Sequence, residues 1–136
     1  MRLSLTRSVG FRAVHRLVHG EWSPEENRRR FGWTVEPHSH EYRCEVTVTG
    51  PVDERLAMVM DLADLDRILQ SEVVRRLDGK VLHRDLVEFA EAIPTCEAIA
   101  LDLFRRIGPR LPDGVGLARV MIAEDATLYA ECTGDP

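Results

Sequence analysis

At 136 residues, 44% apolar and 30% charged, the chain reads as one globular domain, 1–136, long enough to bury its own core. A net charge of −5, from 18 basic and 23 acidic residues with no basic face, argues against a nucleic-acid partner. No apolar run approaches the ~18 residues of a membrane span. The first residues lack a signal-peptide core, and three cysteines without CxxC spacing (Cys44, Cys96, Cys132) point to a reducing, cytoplasmic compartment rather than a disulfide framework.

Residues 2–17 read as extended, with Phe11, Ala13, His15 and Leu17 on one face at period two. Residues 18–37 hold Gly20, Pro24, Gly32 and Pro37 and show no clean periodicity, so a long loop is expected there, of the kind that is functional or disordered. Its run Arg28-Arg29-Arg30 reads as a solvated stretch still able to meet a phosphorylated small molecule. Trp22 and Trp33 flank the loop, either as a lid over a planar ligand or as pins to the sheet. Residues 40–49 alternate again: Tyr42, Cys44, Val46 and Val48 face one way, Glu45, Thr47 and Thr49 the other.

Beyond the GPVDE turn, Leu62, Leu65, Leu69, Val73 and Leu77 recur at helical spacing, with Asp61 and Asp64 near the helix start. Pro94 and Thr95 open a second helix with Ile99, Leu103 and Ile107 as its buried stripe, and Gly108-Pro109 ends it. Two short strands, GLARVMIAE and TLYAEC, close the chain. The order strand, strand, helix, helix, strand, strand predicts an α+β fold, an antiparallel four-stranded sheet with two helices on one face.

The stretch EPHSHEYRCEV carries His38 and His40, two apart and therefore on the same face of a strand. His15 lies near the end of the first strand. A hairpin across the long loop would bring the three imidazoles together. Three neutral nitrogens around an ion, with a fourth position left to water or substrate, make a catalytic zinc site. Three unrelated histidines at strand ends are the alternative that spacing alone leaves open.

Five stretches follow one another over residues 3–133: FRAVHRL, HSHEYRCEVTVTG, MVMDLADLDRIL, IPTCEAIA and RVMIAEDATLYAEC. Together they resemble the 6-pyruvoyltetrahydropterin synthase and 6-carboxytetrahydropterin synthase family. The resemblance implies the tunnelling fold, whose subunits form barrels by sharing sheets, and a homo-oligomer, trimer or hexamer. It implies a lyase acting on a pterin, with Zn2+ on His15, His38 and His40. It implies that Glu124 anchors the 2-amino-4-oxo pyrimidine edge of a pterin ring. Thr95 and Glu97 would be further substrate contacts, although Thr95 is equally well explained as an N-cap.

The chain also departs from the family pattern. The catalytic cysteine that precedes the His-x-His pair by four residues is Thr34 here. The Asp-His pair after the first helix reads Asp78-Gly79, and His83 stands where the family has asparagine. Threonine cannot replace a thiolate as a base at neutral pH, and losing a positioned acid–base group costs about a hundred- to ten-thousand-fold in rate. Glu36 and His83 are candidate replacements, with Asp78 or Asp85 to orient His83. A solvated loop carboxylate and an ordinary loop histidine are the plain alternatives for that pair. Three functional readings stay open. One is a zinc-dependent lyase on a pterin or pterin-like substrate with altered acid–base residues. The others are a metalloenzyme of a specialised biosynthetic pathway with a non-pterin substrate, and a non-catalytic pterin- or purine-binding protein.

Overall fold

The structure, a computed structural model, describes residues 1–135. Strand β1 (Arg2–His15) is followed by α1 (Pro24–Phe31) and then β2 (His38–Pro51), so both strands begin or end on a histidine. β1 and β2 pair antiparallel along their whole length, with Phe11 opposite Tyr42, Ala13 opposite His40 and His15 opposite His38. Phe11, Ala13, Tyr42, Cys44, Val46 and Val48 point into the core and are buried. The other face is polar, with the Thr6 and Thr47 hydroxyls 2.7 Å apart and an Arg12–Glu41 ion pair at 3.1 Å. Because side chains alternate with period two, a slip of one residue would expose the whole apolar set, and this pins the register.

The stretch between the two strands is not the loop that its lack of periodicity suggests. The Ser23 hydroxyl accepts from the Glu26 N–H at 3.1 Å and caps α1, Pro24 fills its first turn, and Gly32, at φ +60°, closes it. Arg28, Arg29 and Arg30 occupy the last turn of α1, where cations suit the helix dipole. A 3-10 turn, Gly32–Val35, leads into β2. Asn27, only 4% exposed, holds this segment from within. Its Oδ1 accepts from the His19 N–H at 2.7 Å, and its amide faces the carbonyls of His19, Trp22 and Ser23 at 3.1–3.3 Å.

α2 (Leu62–Leu69), capped by Asp61, runs through a π-helical turn, Gln70–Val74, into α3 (Arg75–Leu77). Leu65, Leu69, Val73 and Leu77 recur every four residues, which overshoots an α-helical turn by about 40° at each step. The wider π turn takes up the excess, and all four side chains are buried. β3 (Lys80–Val81) then pairs parallel to β1 at Ala13 and Val14. Asp78 and Gly79 make that junction. The Asp78 carboxylate accepts from the Arg12 N–H at 2.8 Å, and the Gly79 N–H donates to the Arg12 carbonyl at 2.7 Å. Gly79 has φ +74°, a conformation that a residue with a β-carbon adopts only with strain.

After α4 (Leu82–Asp85), the chain enters α5 (Cys96–Ile107), where the Thr95 hydroxyl accepts from the Ala98 N–H at 3.1 Å. Ile99, Leu103 and Ile107 are its buried stripe, as the spacing predicts. β4 (Gly116–Ala123) and β5 (Tyr129–Cys132) complete a five-stranded sheet in the order β3-β1-β2-β4-β5, one strand more than the sequence pattern suggests. A charge cluster ties α3 to α5. Arg76, largely buried, meets Asp102 at 2.7 Å, and Arg106 pairs with both Asp102 and Glu88. Among the described residues no helix is long and apolar enough to cross a membrane.

Asn27→Ala should lower stability by about 1–3 kcal/mol, because it strips a buried polar group and leaves backbone partners unmet. Amide exchange should accelerate within residues 16–37 while the β1–β2 ladder keeps its protection. Urea unfolding and hydrogen exchange check the two halves of this expectation.

Candidate metal centre

The hairpin register assembles the site. One ligand nitrogen from each of His15, His38 and His40 lies within 4.8 Å of the other two. The rings meet edge-on, with centroids 4.5 Å apart for His15–His38 and 5.0 Å for His15–His40. His15 occupies an inward position of β1 that continues the buried row of Phe11 and Ala13, and it is itself only 2% exposed.

Backbone carbonyls set the tautomers of two of these rings. His15 Nδ1 lies 2.8 Å from the Pro94 carbonyl, and His38 Nδ1 lies 2.7 Å from the Glu36 carbonyl. A carbonyl only accepts, so Nδ1–H must donate in both, which leaves each Nε2 with its lone pair. Metal-bound histidines are oriented by this kind of outer hydrogen bond. Burial lowers the His15 pKa from 6.5 to about 4, with His38 and His40 adding to the effect against the Pro94 carbonyl, so the ring is neutral at pH 7. His15 Nε2 is buried and has no hydrogen-bond partner. An orphaned buried nitrogen is costly unless something binds it. Three converging imidazoles, two of them fixed in the ligating tautomer, fit a zinc-type ion.

Glu124 arrives from the end of β4. Its N–H donates to the Leu128 carbonyl at 3.1 Å, and the Asp125 carboxylate ties the following turn through the N–H groups of Thr127 and Leu128. Glu124 Oε2 lies 3.1 Å from His40 Nε2 and 3.6 Å from His15 Nε2, and its side chain is 14% exposed. The contact to His40 needs a proton on Nε2, whereas a metal needs that nitrogen's lone pair, so the two uses exclude each other.

A cavity of about 350 Å³ opens over the triad. The start of α5 supplies Thr95, Cys96 and Glu97 to its lining, Glu124 adds the carboxylate, and Thr34 and Trp33 come from the 3-10 turn. Cys96 lines the cavity as well, although its place in the second helix gives no sign of this in the sequence, because it faces the cavity only once α5 has docked. Burial pushes its thiol up to about 12, with Glu124 and Glu97 adding to the effect, so it is no thiolate at neutral pH. Thr34 donates its hydroxyl to the Phe31 carbonyl at 2.5 Å. Trp22 stacks on His19 and Phe31 under Arg30 and so pins the loop, whereas Trp33 stays exposed beside His38.

The structure thus brings His15, His38, His40, Glu124, Thr95 and Glu97 to one cavity. It keeps the candidate acid–base groups outside that cavity. The Glu36 carboxylate is exposed and paired with Arg28 at 2.6 Å, and only its backbone carbonyl serves the site. The Asp78 carboxylate is taken up by the Arg12 N–H, and that of Asp85 by the Val81 N–H and Arg84. His83 lines a second cavity of about 510 Å³, which includes Pro94, Arg16 and His19. Its Nδ1 is buried without a partner, and burial, then Arg16 and Arg84, lower its pKa.

Comparison with known proteins gives a consistent result. A family model described as 6-pyruvoyl tetrahydropterin synthase matches residues 4–135. Human 6-pyruvoyl tetrahydrobiopterin synthase is 37% identical over 122 residues, which cover 88% of this chain and 83% of the human one. The dihydroneopterin monophosphate aldolase of Pyrococcus furiosus is 31% identical over 124 residues, 91% of either chain. The solved 6-pyruvoyl tetrahydropterin synthase of Caenorhabditis elegans superposes with a TM-score of 0.93 at 27% identity, covering 99% of this chain and 97% of that one.

The pKa of His15 makes metal-free stability depend on pH. Between pH 6.5 and about 4 the unfolded chain binds a proton at this ring that the folded chain refuses. This contribution is therefore intact above pH 6.5 and is lost as pH falls toward 4, at up to ~1.4 kcal/mol per pH unit. In His15→Gln that part of the slope should vanish, as read from urea unfolding of both metal-free proteins at pH 7, 6, 5 and 4.

Proposed function

The chain belongs to the 6-pyruvoyl tetrahydropterin synthase family, and we propose that it is a zinc-dependent lyase acting on a pterin or pterin-like substrate with altered acid–base residues. One observation carries the metal part of this reading. The three imidazoles converge at one end of a cavity with His15 Nε2 buried, neutral and without a partner. A zinc ion held by His15, His38 and His40 would supply Lewis acidity, polarising substrate oxygens and acidifying adjacent C–H bonds.

The side chains have separable tasks. The Pro94 and Glu36 carbonyls hold His15 and His38 in the ligating tautomer. Glu124 accepts the paired N–H groups of the heterocycle edge. Its carboxylate is available for this once the His40 nitrogen that it now contacts is taken up by the ion. The Thr95 oxygen accepts from the Ala98 N–H and keeps its own proton to donate into the cavity, while Glu97 stands at the exposed rim. For proton transfer we rank His83 ahead of Glu36, on the premise that substrate reaches from the histidine cavity into the neighbouring one that His83 lines. His83 is an imidazole held neutral at pH 7 with a buried, unpartnered Nδ1, whereas Arg28 holds the Glu36 carboxylate. Asp78 keeps a positioning task at the β1–β3 junction. The free cysteines accord with a cytoplasmic setting, and the exposed Leu128 and Tyr129 at the edge strand β5 accord with a homo-oligomer.

A second reading, a diverged metalloenzyme of a specialised biosynthetic pathway with a non-pterin substrate, is favoured by the content of position 34, which speaks against the ordinary reaction. Threonine stands there with its hydroxyl engaged by Phe31, and one relative of similar length is named an aldolase rather than a synthase.

The test begins with elemental analysis. Wild type should carry near one zinc per chain and His40→Ala close to none; no zinc after supplementation would sink the metal reading. His83→Gln should then lower turnover of dihydroneopterin triphosphate about a hundredfold with zinc retained. Glu36→Gln should stay within about threefold of wild type. Zinc at near one per chain with no turnover of either dihydroneopterin triphosphate or dihydroneopterin monophosphate would favour the second reading.

A further inference from the structure

Trp33 is the one tryptophan of the metal cavity, and among the described residues of this chain nothing covers it. It lines the cavity and lies 4.8 Å from the His38 ring, tilted by 58°, yet it is 68% exposed. Trp22, the only other tryptophan, is by contrast covered by His19, Phe31 and Arg30. The exposure of Trp33 does not come from a loose backbone. Its carbonyl accepts from the Glu36 N–H at 3.0 Å, and the next residue's carbonyl accepts from the Leu17 N–H at 2.9 Å, tying the 3-10 turn to the end of β1. A rigid indole is thus held at the cavity beside the three histidines, with its flat face free to meet a planar ligand there.

The rest of the cavity says what shape of ligand that is. Glu124 offers a carboxylate that wants paired N–H donors, and the triad offers nitrogens for an ion that wants oxygens. Neither group reads the flat face of a heterocycle. Leu128, half exposed, is the other large apolar side chain of the lining exposed to solvent, and it is not planar.

We propose that Trp33 is a specificity-determining residue that stacks on the face of the bound heterocycle and makes the site prefer a fused two-ring ligand over a single ring bearing the same N–H edge. The proposal rests on the pterin reading given above, with Glu124 reading the edge and Trp33 reading the face.

Equilibrium binding to the zinc-loaded protein tests it, with neopterin as the two-ring probe and 2-amino-4-hydroxypyrimidine as the one-ring probe. Trp33→Ala should weaken neopterin binding about five- to hundredfold, the range of a lost base–aromatic stack. Trp33→Phe should restore most of it. The preference for neopterin over the single ring should collapse in Trp33→Ala, because the smaller ring has less face to lose. Zinc content and far-ultraviolet circular dichroism should match wild type in both variants. Neopterin affinity within twofold of wild type in Trp33→Ala overturns the proposal. So does an equal loss in the alanine and phenylalanine variants, or a loss with the two-ring preference unchanged. Glu124→Gln separates the proposal from the reading beneath it. If that variant loses neopterin while Trp33→Ala keeps it, the pterin reading stands and the stacking falls. If wild type binds no neopterin, both fall.

Discussion

The in-register pairing of β1 with β2 is the constraint from which everything else follows. Core packing chooses the register, since only one alignment buries Phe11 and Ala13 together with Tyr42, Cys44, Val46 and Val48. The histidines lie on the same inward rows. Once the apolar side chains are placed, His15 has no choice but to face His38, with His40 beside it. The geometry of the histidine triad is in this sense a by-product of hydrophobic alternation, and it inherits the rigidity of the sheet.

An imidazole at the end of an apolar row needs support that the hairpin does not contain. That support comes from the Pro94 carbonyl, many residues away in sequence. The path from α2 to α5 delivers it. The π turn keeps Leu65 through Leu77 on the core, and Asp78 and Gly79 lock the chain to Arg12. The Arg76, Glu88, Asp102 and Arg106 cluster then ties the segment before Pro94 to α5. The same docking brings Thr95 and Cys96 to the cavity. Helix packing and the tautomer of His15 are therefore linked through a single backbone oxygen.

Much of this was legible in the sequence, and what was not has physical causes. Strands β1 and β2, the stripe of α5 and the meeting of three histidines rest on periodicities that burial enforces. α1 lacks an apolar stripe, so periodicity is silent there. Its signal was local instead, Ser23 followed by Pro24, with Glu26 three residues after the cap. β3 is two residues long and exists because Asp78 and Gly79 hold it to β1, a non-local cause. Side-chain direction was the least readable level. Glu36 precedes His38 by two residues, yet Arg28 draws its carboxylate outward. His83 has suitable chemistry but opens into a neighbouring cavity. Cys96 is far from the histidines in sequence, and only the docking of α5 brings it to their cavity.

Residues 16–37 hang between two histidines whose positions are decided elsewhere. His15 and His38 stay opposite one another whatever the connecting chain contains, because the sheet below holds them. Insertions, deletions and new side chains in this span would leave the frame of the three histidines untouched while they rewrite the lining of the cavity above it. Frame and cover are thus free to evolve at different rates. In this architecture an edit confined to that surface excursion can change the cavity and leave the core alone. Relatives named as synthases and as an aldolase are what such a division of labour would produce.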